Sequence, residues 1–142
     1  MNSRLLLRAK VLALLILAAA CAKDSPLAPA TRLTFGTWGG DRAEVTASAT
    51  GTQVTLGCSF GDFAASPTLD SDGRFTINGS WNRSVGPVQL NGNMPAQLSG
   101  QVLGNTLTFA IAVNDTIAKQ VTSLGPATVI FGQKGTIFPC PV

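Results

Sequence analysis

Apolar and polar residues alternate with a period of two along most of the chain from residue 44 onward. Val45, Ala47 and Ala49 alternate with Glu44, Thr46, Ser48 and Thr50, and Val54, Leu56, Cys58 and Phe60 with Gln53, Thr55, Gly57 and Ser59. Phe75, Ile77, Gly79 and Trp81 then alternate with Arg74, Thr76, Asn78, Ser80 and Asn82. Ala96-Leu98-Gly100-Val102, Leu107-Phe109-Ile111-Val113 and Ala127-Val129-Phe131 continue the pattern. Successive side chains of a strand point to opposite faces, so each set places apolar groups on one face and Thr, Ser, Asn or Gln on the other. Thr50-Gly51, Asp72-Gly73, Gly104-Asn105 and Lys134-Gly135 are hairpin-type pairs between the sets. No stretch carries a capped i, i+3, i+4 apolar pattern, and at most Gly61 to Ala65 forms one helical turn. With Leu33–Phe35 at the start and Thr136–Cys140 at the end, the pattern predicts an all-β, antiparallel up-and-down meander of about eight strands. Eight strands can close on themselves and remove both edges, which favours a closed or nearly closed barrel over a two-sheet sandwich. The longer segments Asp62–Ser71 and Val85–Met94 read as loops, the usual carriers of function on a rigid scaffold.

The N-terminus follows a different rule. Met1 to Lys10 holds three cations, and Val11 to Ala20 is an unbroken apolar run. As a helix that run is about 15 Å long, half a bilayer core, so it fits a secretory signal and not a span. Cys21 follows Ala18-Ala19-Ala20 directly. This junction resembles the bacterial lipoprotein signal, in which a small-residue stretch ends in a Cys that is acylated after cleavage. Ala18 stands where Leu is commonest in that family. The resemblance implies a signal peptide over 1–20, lipidation at Cys21 and a membrane partner through the acyl chains. An ordinary A-x-A cleavage that leaves a thiol at Cys21 is the alternative. Ala22 in place of Asp implies, by the enteric sorting rule, the outer membrane, with the domain in the periplasm or at the cell surface. Residues 21–32 contain two prolines and no periodicity, and read as a tether of roughly 3 Å per residue. The domain then spans 33–142.

Cysteine usage agrees with export. Apart from Cys21 the chain has one pair, Cys58 and Cys140, and an even number in an oxidising compartment argues for a disulfide over two buried thiols. The 142 residues carry a formal charge of +3. Three of the ten cations (Arg4, Arg8 and Lys10) precede residue 20, which leaves seven against seven Asp and Glu. The chain beyond residue 20 is therefore neutral and makes no strong case for nucleic acid, which needs a basic face.

Gly36-Thr37-Trp38-Gly39-Gly40 opens the domain with a G-x-W that is similar to that of lipocalins and avidin-like barrels. In those families the Trp plugs one end of an eight-stranded barrel. The remaining lipocalin pattern is absent, with no Arg in the last strands to stack on the Trp. Together with the C-S-F-G of Cys58–Gly61, L-D-S-D-G-R-F and the terminal P-C-P, the motif also resembles a group of small exported bacterial barrels with no assigned activity.

Candidate chemistry is sparse. The chain has no His and no Tyr, which removes the Ser-His-Asp triad, the Cys-His pair and His-ligated zinc. A glycosidase needs two carboxylates across a cleft, and Asp41 and Glu44 have opposite strand parity. Asp70-Ser71-Asp72-Gly73 echoes a calcium loop but lacks its third acidic ligand and its closing Glu, so it reads as a turn. Lys119 and Lys134 lie in polar text and read as solvated. The expectation is a non-enzyme without cofactor or metal. Two functions remain. One is a barrel that binds a small apolar ligand, with Trp38, Leu56, Phe75, Ile77, Leu98 and Phe109 as the ligand-lining or plugging residues. The other is a ligand-free structural, interaction or inhibitor lipoprotein of the cell envelope, whose small inward residues simply complement the aromatics of a filled core.

Overall fold

The computed structural model describes residues 31–85 and 88–138. The signal peptide, Cys21, most of the tether and Cys140 lie outside the described residues.

Eight strands follow in chain order: β1 (Gly36–Gly40), β2 (Ala43–Ala47), β3 (Thr52–Leu56), β4 (Ser59–Phe63), β5 (Arg74–Val85), β6 (Val88–Leu103), β7 (Thr106–Asp115) and β8 (Gln120–Phe131). Each is antiparallel to the next and β8 returns to β1, so the all-β meander closes into a barrel. Its interior holds the apolar positions of the alternating sets. Val45, Val54, Trp81, Leu107, Ile111 and Val129 are fully buried, and Trp38 and Leu98 are nearly so. Many outward positions of β5 to β8 are uncharged and polar, with an Asn78–Gln97 hydrogen bond of 3.2 Å and a Thr108–Thr128 hydroxyl pair at 3.3 Å.

The strand count agrees with the sequence pattern, but its composition differs in four places. The run Gln53–Phe60 is two strands, because Gly57 adopts a positive φ of 60° and reverses the chain within two residues. Leu56 then faces Ser59 across the turn, so parity shifts by one and Phe60 moves to the outer surface, where it is 37% exposed. Gly36–Gly40 is itself the first strand. Leu33–Phe35 lies outside the sheet, held by Leu33 N–H donating to the Pro67 carbonyl at 3.0 Å and by an Arg32–Thr68 bridge. Of the expected loop Val85–Met94, Val85 ends β5 and Val88–Met94 belong to β6, paired with β5 along one long hairpin. Within 136–138, Thr136 makes only an isolated parallel bridge to Asp41.

The two ends of the barrel are distinct. The near end, where the chain comes in, carries the lid formed by 31–35 and 66–69, the 48–51 turn and the 104–105 turn. Leu33 and Leu69 are buried beneath that lid. The far end carries the 41–42, 57–58 and 116–119 turns and the β5–β6 reversal. After β8 the chain turns at Gly132 and runs back along β1 as a strap on the outside. Thr136 N–H donates to the Gly40 carbonyl at 2.9 Å, Arg42 N–H donates to that of Thr136 at 3.1 Å, and Gly135 N–H donates to Glu44 Oε2 at 2.8 Å. A Cβ on Gly39 would collide with the strap backbone at Lys134, so the close approach depends on that glycine.

Candidate functional site

The interior was the expected ligand site, and its six candidate residues all belong to the inner face. Phe75 faces Gly100 and, across it, Phe109; Ile77 faces Leu98; Leu56 faces Ala43. Trp38, Phe75, Leu98 and Phe109 are buried, while Leu56 and Ile77 are partly buried against the same core. Trp38 sits in β1 and donates its indole N–H to the Thr34 carbonyl of the lid at 3.1 Å. Its ring meets Phe131 edge-on at 5.0 Å between centroids. Trp38 is thus buried and tied to the lid.

Small inward residues face large ones across the sheet. Gly61 lies opposite Trp81, Gly79 opposite Phe63, and Gly100 opposite Phe75 and Phe109. A Cβ on Gly61 would strike the Trp81 ring and stand 2.6 Å from the Ser80 carbonyl oxygen. One on Gly100 would be 2.9 Å from Phe75 Cζ. The space freed by each glycine is occupied by its neighbour's ring, as close packing requires. One polar atom stands out: the buried indole N–H of Trp81 has no acceptor among the described residues. Beside it in sequence, Asn82 is buried and donates from Nδ2 to Asn93 Oδ1 at 3.1 Å.

The carboxylates serve the backbone. Asp70 Oδ1 accepts from the N–H groups of Asp72 at 2.9 Å and Arg74 at 2.8 Å, which closes the turn read from Asp72-Gly73. Asp115 Oδ1 accepts from Ile117 and Ala118 N–H, and its Oδ2 stands 3.6 Å from Arg83. Asp62 accepts from Gln53 at 3.2 Å, and Glu44 holds the strap. Among the described residues no three His, Cys, Asp or Glu side chains gather as a metal site. Lys119 and Lys134 are exposed.

The outer surface offers shallow, open grooves of mixed polar and apolar lining. One of about 450 Å³ is lined by Thr46, Ser48, Thr50, Gln53 and Asp62, and another of about 380 Å³ by Asn78, Pro95, Gln97, Asn114 and Val121. Exposed large apolar side chains collect at the two ends instead. Phe35, Leu103 and Phe131 stand at the near end, and Ile117, Val121, Ile137 and Phe138 stand beyond the middle or at the far end. Period-two reading misses these positions, because it assigns faces and not ends; Leu103 beside Gly104-Asn105 and Ile117 in D-T-I-A-K are apolar residues in turn text, the signal that marks them. The chain matches no protein-family model, no curated protein and no solved structure.

Proposed function

We propose that this chain is an exported bacterial lipoprotein, acylated at Cys21 after removal of residues 1–20, with a lipocalin-like barrel held in water at the outer membrane. The barrel is non-enzymatic and works through its outer surface toward another component of the envelope. The observation that carries this reading is the filled interior: Trp38, Trp81, Phe63 and Phe109 occupy it against complementary glycines and leave the described inner face as packed core. The outer face supports a water-facing barrel, since Thr76, Asn78, Gln97, Ser99 and Thr108 stand where a membrane-spanning barrel carries its apolar band. Among the described residues no helix is long and apolar enough to cross a membrane.

A disulfide between Cys58 and Cys140 belongs to the same reading. Cys58 is disulfide-bonded. It follows Gly57, whose N–H donates to the Arg42 carbonyl at 2.7 Å, and Arg42 in turn is bonded to Thr136. Four residues separate Thr136 from Cys140, a reach of about 13 Å at full extension. Adjacent strands lie about 4.8 Å apart, so a reach of that length is enough for the bridge to the 57–58 turn.

One observation favours the alternative of an interior ligand, namely the unpartnered indole N–H of Trp81, which would accept a carbonyl or hydroxyl oxygen as partner. Native mass spectrometry of the full chain, extracted from membranes in detergent, separates the two. The expected species is the polypeptide from Cys21 with its acyl chains and the mass deficit of one disulfide. A further discrete adduct, released on unfolding, would overturn the packed-interior reading and identify the ligand class.

A further inference from the structure

We propose that the near end of the barrel docks on the surface of the membrane that holds the chain's own acyl chains, through Phe35, Leu103 and Phe131. The inference rests on lipidation at Cys21. These three side chains are 49%, 66% and 39% exposed and share one rim. The Phe131 ring lies over Gly36, next to Phe35, at 3.1 Å from where a Cβ would stand. Phe131 N–H donates to the Asn105 carbonyl at 2.9 Å, which ties it to the turn that Leu103 opens.

The chain itself says which surface this rim meets. Ten residues separate Cys21 from Thr31, and Thr31 accepts from Leu69 N–H in the lid of that same end. The ten Cα–Cα steps from Cys21 to Thr31 span at most about 35 Å. The near end is therefore the end held against the bilayer, and the tether keeps it at a local concentration in the millimolar range. A small apolar patch suffices under that constraint, though it would fail alone. The end carries no cationic cluster: Arg32 and Arg74 stand near Asp70 and Asp72, and Asp62 lines the groove by the 48–51 turn. Docking is thus apolar and indifferent to salt, and needs no anionic lipid. The far end, with Ile117 and Val121, points into the aqueous compartment.

The test uses the full acylated chain in phosphatidylcholine vesicles whose acyl chains are brominated. Leu103→Trp places a reporter on the rim, and Val121→Trp, 69% exposed in the wild type, places one at the opposite end. Emission of the unsubstituted chain supplies the Trp38 and Trp81 background. Leu103→Trp is expected to shift to the blue and to be quenched about twofold or more relative to Val121→Trp, at low and high salt alike. Equal, unquenched emission from both reporters on chains that float with the vesicles overturns docking and leaves the anchor standing. A chain whose mass shows no acyl groups at Cys21 and which does not float removes the anchor, and docking with it.

Discussion

Glycine and tryptophan are the residues that decide how this barrel is filled. Trp81 is fully buried although its N–H finds no acceptor, so its packing must outweigh a desolvation cost of about 1–3 kcal/mol. Gly61 is what makes room for it. Gly61→Ala drives a methyl group into the Trp81 ring and against the Ser80 carbonyl oxygen, and neither backbone strand can yield without disturbing its ladder. The expected loss is about 1–3 kcal/mol, read as a lower urea midpoint at unchanged slope. An unchanged midpoint would show that the Trp81 ring has space to turn, and that the interior is looser than its glycines indicate. The alternation of Phe75, Ile77, Gly79 and Trp81 revealed that these side chains share a face. Which small residue accommodates which ring was not legible there, because cross-strand partners such as Gly61 and Trp81 lie twenty residues apart and meet only through register.

Turns and straps carry the differences at the scale of elements. Most strands can be read from alternation alone, since one wet face and one dry face impose period two. The pattern passed straight through Gly57-Cys58, because a two-residue reversal leaves the spacing of apolar letters almost intact while it exchanges the faces beyond. Hence Phe60 reads as core and is in fact on the surface. The strap shows the converse: Thr136 onward has strand-like text but is fastened by single bonds and one bridge. Glu44 is the side chain that binds it. Glu44→Ala removes the acceptor of Gly135 N–H, and hydrogen exchange at Gly135 and Thr136 is expected to quicken about tenfold, equivalent to about 1.4 kcal/mol, with β2 itself unaffected. Unchanged exchange would mean that the Thr136 bonds hold the strap alone.

For the whole molecule, the proposed Cys58–Cys140 bridge would close a loop of about 80 residues. In the chain-entropy model it contributes on the order of 4 kcal/mol. Reduction is therefore expected to lower the urea midpoint strongly, and Cys140→Ser to match the reduced wild type; a reductant-insensitive midpoint argues against the bridge. The polarity of the molecule has the same origin as its closure. An odd number of reversals between β1 and β8 brings both ends of the sheet together, with β1 beginning where β8 finishes, so Thr31 and the Phe35–Leu103–Phe131 rim lie at one end. Strand periodicity, the near-neutral charge beyond residue 20 and the absence of His were all legible in the amino-acid order, because each depends on neighbours within a few residues or on composition. The faces beyond Gly57, the fit of glycine to aromatic ring, the strap over Gly39 and the gathering of apolar side chains at the near end depend on register between distant strands, and only the folded barrel decides them.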